Sequence, residues 1–151
     1  MIKYLLLLFL FFSSPANIFS FKALEAETKE SFFESGRENI SKKKYSDALD
    51  DFNNYIKSNP DNWRGYHNRA ISKEFLGDFL GAIADYSKAI ELNPNPWEKS
   101  FFWRGYLHEK NENYDRAISD YSSAIKINPE YEEAYSVSYT HLRAHETLTD
   151  L

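Results

Sequence analysis

The chain has no cysteine among its 151 residues. This excludes a disulfide-stabilised scaffold, a thiolate metal site, a cysteine nucleophile and a lipid-modified N-terminal cysteine. Glycine and proline number only five each, which excludes collagen-like and linker-like sequences. The 18 basic residues are outnumbered by 23 acidic ones, whereas a nucleic-acid-binding domain normally carries a basic stripe. The composition therefore predicts an ordinary globular domain with no nucleic-acid partner.

Long apolar runs are also scarce, and the exception stands at the N-terminus. An unbroken apolar run extends from Tyr4 to Phe12, directly after Lys3, and small residues follow it up to Ala16. The run is about half of the ~20 residues that a membrane-spanning helix needs. This order is typical of a secretory signal peptide. We predict cleavage after Ala16, or as late as Ser20, and export to the periplasm or the medium; the alternative is a membrane anchor over residues 4–12.

The C-terminal segment, residues 137–151, differs in character from the rest. Its first part, VSYTHLRAHET, resembles one reading frame of a transposase-type sequencing adapter. We therefore interpret residues 137–151 as a non-native tail and expect the native protein to be longer. His141 and His145 belong to this tail, so their spacing of four residues is not interpreted as a metal-binding pair.

The middle of the chain repeats itself. Asn-Pro pairs at 59–60, 93–94 and 128–129 are 34 and 35 residues apart, and residues 77–94 match residues 112–129 at nine of eighteen positions. A fixed period of this length indicates an array of similar structural units. Within each unit, apolar residues recur at i, i+1, i+4, i+7 and i+8, as on one face of an α-helix. This helix is predicted to end near the asparagine, because a residue before proline avoids α-helical angles.

Each of these helices is preceded by another one, so the unit is a helix–turn–helix. The predicted first helices cover about Lys29–Lys42, Asn62–Leu76 and Trp97–Asn111. The unit has Gly or Ala at position 8, aromatic residues at 17 and 24, Ala at 20 and Pro at 32. This pattern resembles the tetratricopeptide repeat. The resemblance implies an all-α fold, a right-handed superhelical array of antiparallel helix pairs.

The resemblance implies three complete repeats and the start of a fourth. The repeats span residues 29–62, 63–97 and 98–131, residues 132–136 begin the fourth, and residues 17–28 form a lead-in after the signal peptide. The residues that define the repeats are Gly36, Ala48, Phe52, Pro60, Ala70, Ala82, Tyr86, Ala89, Pro94, Gly105, Ala117, Tyr121, Ala124 and Pro129.

Two antiparallel helices approach closely only where small side chains meet. We therefore expect the small residue of each first helix to face the alanine of the second helix, with Gly36 opposite Ala48, Ala70 opposite Ala82 and Gly105 opposite Ala117. Two departures are interpreted as local irregularity. Tyr55 stands where the family has alanine, and one extra residue near Trp97 lengthens the second junction.

No catalytic motif is present, since the phosphate-binding loop, the nucleophile elbow and the HExxH zinc site are all missing. The resemblance puts His108 at a packing position and His67 on the concave face, where it either contacts a partner or is merely exposed. Lys42–Lys44 form a basic run at a predicted turn, for which a solvated loop is favoured over a contact with lipid headgroups. We predict a protein that is not an enzyme, with no catalytic residue, no metal site and no cofactor.

The first helices form the concave surface in this family. Carried over by position, the resemblance implies a partner-binding groove lined by Phe33, Arg37, Arg64, His67, Asn68, Ile71, Lys99, Phe102, Trp103 and Tyr106. Aromatic side chains and cations suit an extended peptide or a partner helix. The alternative for Phe33 and Phe102 is packing between repeats.

Some family members clamp a C-terminal carboxylate with five residues of this surface. This chain has Phe33, Arg37, Asn68, Lys99 and Trp103 at those positions, and only Asn68 and Lys99 match the clamp. A clamp for chaperone tails is therefore not expected. The predicted function is an exported protein–protein interaction module. The alternative is a docking or regulatory repeat region of a longer enzyme or of an envelope-assembly protein.

Overall fold

The computed structural model describes residues 30–93 and 95–137, and helices are the regular secondary structure of this part of the chain. The helices are α1 (30–41), α2 (Tyr45–Ser58), α3 (Trp63–Phe75), α4 (Phe79–Leu92), α5 (Glu98–Lys110), α6 (Tyr114–Ile127) and α7 (132–137). The predicted signal peptide, the lead-in, Pro94 and the tail beyond residue 137 lie outside the described residues. Within these residues, no helix combines the length and the apolar character needed to cross a bilayer.

The predicted all-α fold and its helix pairs are confirmed. The first helices α1, α3 and α5 lie within one residue of their predicted bounds. The second helices α2, α4 and α6 end directly before Asn59, Asn93 and Asn128. These asparagines have ψ angles of 64°, 113° and 95°, outside the helical range. The restriction that proline places on the preceding residue therefore ends each second helix where the sequence predicts.

The turns inside the helix pairs share one backbone feature. Lys43, Gly77 and Glu112 occupy the same turn position in the three repeats and have φ angles of 59°, 84° and 58°. Only glycine adopts this left-handed conformation without steric cost. After the second turn, Oδ1 of Asp78 accepts a hydrogen bond of 3.0 Å from the backbone N–H of Gly81, which starts α4 with a side-chain cap. The turn geometry is therefore set locally and repeats with the sequence.

The contact that requires glycine in the first helices differs from the expected one. A Cβ atom added to Gly36 would lie 2.6 Å from Cζ of Phe52, and one added to Gly105 would lie 3.1 Å from ring atoms of Tyr121. The atoms nearest to these glycines thus belong to the aromatic residue at position 24 and, for Gly105, also to Cβ of Asp120 at 3.1 Å. The glycines therefore make room for the aromatic ring. In the second repeat, Ala70 and Ala82 lie fully buried in one cluster.

Neighbouring repeats bury one another. Leu107 of α5 packs into the cluster that contains Ala82 and Tyr86 of the second repeat. Ala134 of α7 similarly joins the cluster around Tyr121 of the third repeat. Each helix pair therefore completes the core of the preceding one, as in a linear repeat array.

Tyr55, interpreted from the sequence as an irregularity, has a complement in the next repeat. Its ring lies 4.9 Å from that of Phe33, and its hydroxyl accepts a 2.7 Å hydrogen bond from Nδ2 of Asn62. A Cβ on Gly65 would come within 2.8 Å of the Tyr55 ring. The large Tyr55 side chain at the end of the first repeat therefore fits because the facing residue of the second repeat, Gly65, has no side chain.

The second and third repeats contain the same buried ion pair. Nε and Nη2 of Arg69 donate hydrogen bonds of 2.7 and 2.6 Å to the two carboxylate oxygens of Asp85. Arg104 binds Asp120 in the same way, at 2.9 and 2.6 Å. Both carboxylates are buried. A bidentate contact of this kind fixes the relative orientation of the two side chains in addition to neutralising their charges. Each pair therefore connects the first helix of its repeat to the second.

The same arginines also connect successive repeats. Nη1 of Arg69 donates to Oδ1 of Asn53 at 3.0 Å, and Nη1 of Arg104 donates to Oγ of Ser87 at 3.0 Å. Asn53 and Ser87 lie on the second helix of the preceding repeat. The register between repeats is therefore held by polar contacts in addition to apolar packing.

Replacing Gly36 by alanine is expected to lower the free energy of unfolding by about 1–3 kcal/mol, because the added methyl group overlaps the fully buried ring of Phe52. Urea unfolding followed by circular dichroism measures the change. Combining Gly36→Ala with Phe52→Leu should cost less than the sum of the two single substitutions, since leucine vacates the overlapped space. Additive effects would show that the overlap is not the cause.

Candidate functional site

An open cavity of about 760 Å³ lies between α1, α3 and the segment that joins α4 to α5. Its wall is formed by Phe33, Arg37, Trp63, Arg64, His67, Asn68, Ile71, Asn93, Asn95, Pro96, Trp97 and Glu98. The first helices thus present a concavity of the size that ligand sites have.

The structure brings six of the ten predicted groove residues together. Phe33 and Arg37 of α1 line the cavity together with Arg64, His67, Asn68 and Ile71 of α3. Asn68 is oriented along its own helix, because its Nδ2 donates to the carbonyl of Arg64 at 2.9 Å. The other four predicted residues, which are Lys99, Phe102, Trp103 and Tyr106, lie on α5 outside the cavity wall.

Two of the predicted aromatic residues are mainly packing residues. Phe102 is 8% exposed, and its ring lies 5.6 Å from Tyr121 and 5.1 Å from Tyr131. Almost none of the surface of Phe102 is therefore available to a partner, and both rings belong to its own repeat. Phe33 is also buried, against Phe52, but it still contributes to the cavity wall.

The remaining predicted residues of α5 are Lys99 and two aromatic residues in mutual contact. Trp103 and Tyr106 are partly exposed, and their rings are perpendicular at 5.8 Å. Nζ of Lys99 lies 5.1 Å from the centre of the Trp97 ring, and Trp97 is a wall residue. Lys99 therefore adds a cation at the edge of the cavity without lining it.

Two tryptophans of the wall were not predicted from the sequence. The rings of Trp63 and Trp97 meet edge to face at 6.0 Å, and Trp97 also lies 4.8 Å from the ring of His67. The extra residue of the second junction was interpreted from the sequence as a local irregularity, but this junction contributes to the cavity wall. The longer junction folds Trp97 back onto α3, and together with Pro96 it closes one side of the cavity.

His67 is neither exposed nor positively charged at neutral pH. Only 3% of its surface is accessible, and burial, together with the nearby charge of Lys99, lowers its pKa from 6.5 to about 4. Its Nδ1 lies 2.8 Å from Oγ of Ser100. Ser100 is itself buried, at 2% exposure, so this pair offers no accessible nucleophile. His67 is therefore a neutral, almost fully buried residue of the wall.

His108 lies away from the cavity and packs as the family position implies. It is buried, and its Nε2 lies 4.0 Å from Oδ2 of Asp120. Burial lowers the pKa of its imidazole, while the Asp120 carboxylate raises it in part. Across residues 30–93 and 95–137, no cluster of His, Asp or Glu could hold a metal ion.

The rim of the cavity carries cations over aromatic faces. Cζ of Arg64 lies 5.8 Å from the centre of the Trp63 ring, at the edge of the wall. Arg37 is exposed on the opposite side and makes a loose 3.5 Å ion pair with Glu34. Glu98 is the carboxylate among the wall residues. The site can therefore contact an apolar group with its rings and an anionic group with its rim.

Parts of the chain are similar to a known family and to known proteins. Residues 64–96 and 98–131 match the family model of the tetratricopeptide repeat. The chain is 32% identical to Hsp70-Hsp90 organizing protein 3 of Arabidopsis thaliana over 84 residues. This aligned segment makes up 56% of this chain and 15% of that protein. The chain is 29% identical to Protein SGT1 homolog of Homo sapiens over 90 residues. That segment makes up 60% of this chain and 24% of the human protein. The chain thus spans only a minor part of these relatives.

Solved structures resemble the chain over most of its length. The TPR domain of Arabidopsis OM64 is 26% identical with a TM-score of 0.72, covering 76% of this chain and 94% of that domain. The TPR2B domain of yeast Sti1, in its complex with pHsp70, is also 26% identical with a TM-score of 0.72, covering 78% of this chain and 98% of that one. MamA has a TM-score of 0.75 at 19% identity, and this likeness shows the fold alone.

Stacked helix pairs with an open concavity on their first helices define an α-helical repeat protein. The matched residues 64–96 and 98–131 are tetratricopeptide (TPR) repeats, and the similar solved structures are TPR domains with the same fold. The resemblance drawn from the sequence is thereby confirmed.

Proposed function

We propose that this chain is a protein–protein interaction module that holds an acidic peptide segment of a partner in the cavity between α1, α3 and the 93–98 segment. The observation that carries the proposal is the combination of two tryptophan rings in the wall with Arg37, Arg64 and Lys99 around it. Aromatic residues and arginines supply most of the binding energy of protein interfaces. Cations at the rim pair with carboxylates of the bound segment.

The similar proteins support a peptide partner. The TPR2B domain of yeast Sti1 was solved in complex with pHsp70, and its fold covers 78% of this chain. The curated relatives include Hsp70-Hsp90 organizing protein 3 of Arabidopsis thaliana, whose name states that it organises two other proteins, Hsp70 and Hsp90. A module of this shape therefore has a precedent for binding through its repeats.

The bound segment is expected to differ from a chaperone tail. Of the five clamp positions, Phe33, Arg37 and Trp103 do not match the clamp, and Phe33 is buried in the wall. Only Asn68 and Lys99 keep the clamp residue. We therefore propose a ligand that places an apolar side chain against Trp63 and Trp97 and carboxylates near the rim.

We also propose that the protein is exported by its N-terminal segment. The support is the sequence alone, with Lys3 followed by an apolar run and then by small residues up to Ala16. N-terminal sequencing of the protein recovered from cell fractions tests this proposal. A mature protein that starts at residue 17 or 21 would support cleavage and export. A membrane-bound protein that keeps residues 4–12 would support the anchor instead.

The groove proposal is tested with peptides selected from a random-peptide library on the full chain. Selected peptides are expected to contain carboxylates and an aromatic or aliphatic residue. Replacing Arg64 and Lys99 together by alanine should weaken their binding at least about tenfold, because two charge-assisted contacts are lost. Fluorescence anisotropy of a labelled peptide measures the affinity.

The matched control removes two cations elsewhere on the surface. Lys57 and Lys126 are exposed residues of second helices and do not line the cavity. Replacing both by alanine should leave the affinity within about twofold, because distant surface charges are screened by salt. Equal losses in the two double variants would assign the effect to overall charge and contradict the groove.

A further inference from the structure

The turn between α3 and α4 exposes four large apolar side chains. Phe75 is 59% exposed, Leu76 49%, Phe79 36% and Leu80 75%, all within six consecutive positions. Isolated apolar residues on a surface are normal, whereas a contiguous exposed patch indicates an interaction site. None of the four residues lines the cavity of the proposed groove. The patch is therefore a separate surface.

The patch is continuous with the neighbouring turn. The ring of Tyr45, the first residue of α2, stacks on the ring of Phe75 at 4.3 Å and 4°. We call Tyr45, Phe75, Leu76, Phe79 and Leu80 the turn patch. Gly77, between Leu76 and Phe79, faces open space, because a Cβ atom placed on it would meet nothing within 4 Å.

Lysines flank the turn patch on one side. Lys42, Lys43 and Lys44 are exposed and immediately precede Tyr45. Lys42 forms a 2.6 Å ion pair with Glu38, whereas Lys43 and Lys44 form no ion pair with any residue of the described part of the chain. Two exposed ammonium groups therefore lie beside the apolar side chains, and the charge of Lys44 also acts on the Glu38 carboxylate.

We propose that the turn patch docks on the surface of an anionic lipid bilayer. Its phenylalanine and leucine side chains enter the boundary between headgroups and acyl chains, and Lys43 and Lys44 contact lipid phosphates. One observation favours lipid over a protein partner: the exposed lysines Lys43 and Lys44 directly precede Tyr45, whose ring stacks on the exposed Phe75. The export or anchoring proposed above for residues 4–12 would bring the chain to a membrane. The peptide cavity stays open in this arrangement, since the two surfaces share no residue.

The absence of cysteine from the chain permits a test at a single site. Leu80→Cys in the full chain is labelled with a polarity-sensitive fluorophore and mixed with vesicles of phosphatidylcholine and phosphatidylglycerol in equal parts. We expect a blue-shifted emission that increases several-fold and is quenched by nitroxide-labelled lipid. Asp61→Cys, at the other end of the helices, is the matched control, and its emission should not change although residues 4–12 are present in both proteins.

The lysines are tested in the labelled protein. Lys43→Asn with Lys44→Gln should raise the lipid concentration at half-maximal response about fivefold for each lysine. Replacing Lys57 and Lys126 by glutamine should leave it unchanged, and vesicles of phosphatidylcholine alone should give little response. Thermal unfolding confirms that each variant is folded.

Four results would overturn the proposal. They are an unchanged emission at residue 80, equal responses at residues 80 and 61, an equal response to vesicles without anionic lipid, and an emission shift that follows protein concentration without vesicles. The second result would mean that residues 4–12 alone bind the bilayer. The fourth would assign the turn patch to a second copy of the chain.

Discussion

Replacing Asp85 by alanine is expected to lower the free energy of unfolding by about 3–5 kcal/mol. The Asp85 side chain is 6% exposed and neutralises two cations, Arg69 at 2.6 Å and Lys73 at 2.8 Å. These cations are themselves only 19% and 20% exposed. Removing the carboxylate leaves both without compensation in a poorly solvated place, which costs more than the ion pair itself contributes. Urea unfolding of the variant and the wild type measures the difference.

A matched substitution separates this effect from helix propensity. Asp50 is exposed on α2, and Asp50→Ala should change the free energy of unfolding by no more than about 0.5 kcal/mol. If Asp85→Ala unfolds at the same urea concentration as the wild type, the contact between Arg69 and Asp85 does not hold the second repeat together. Equal losses in both variants would also contradict the assignment.

Acidification from pH 6.5 to pH 4 is expected to remove roughly 3 kcal/mol of stability through His67 alone. Burial, with a smaller contribution from Lys99, lowers the folded-state pKa of His67 from 6.5 to about 4. As the pH falls, the unfolded chain therefore binds this proton before the folded protein does. The contribution is fully present above pH 6.5 and is lost as the pH approaches 4. Urea unfolding at a series of pH values measures it.

The comparison with His67→Gln isolates this residue. Glutamine does not titrate, and its side chain can still reach Ser100, so the variant should lose less stability than the wild type between pH 6.5 and 4. Other groups titrate in the same range, including His108, whose pKa burial also lowers. Their effect cancels in the comparison. Parallel pH profiles of the two proteins would show that His67 is not the source.

The helices and their ends could be predicted because their causes are local. Proline acts on the residue directly before it, and apolar residues spaced along one helix face mark the buried side. The ion pairs were missed although a signal exists. Arg69 with Asp85 and Arg104 with Asp120 have the same spacing of sixteen residues in two repeats. A search for apolar periodicity alone does not detect charged residues that recur in this way.

The cavity wall could be predicted only in part. Arg37, Arg64 and Asn68 follow from repeat position, because the repeat geometry itself places them on the first helices. Trp97 does not, since its contacts with Trp63 and His67 depend on how a junction one residue longer folds back. That path is determined by tertiary packing and has no pattern in the sequence. The burial of His67 has the same origin, because residues of the next repeat cover it.

Tryptophan emission during peptide binding tests the groove most directly. The chain has three tryptophans, and a Trp103→Phe variant keeps only Trp63 and Trp97, which both line the cavity. Titration of this variant with a selected peptide should change the tryptophan emission in step with the anisotropy of the labelled peptide. Binding seen by anisotropy with no change in tryptophan emission would place the peptide elsewhere and contradict the account.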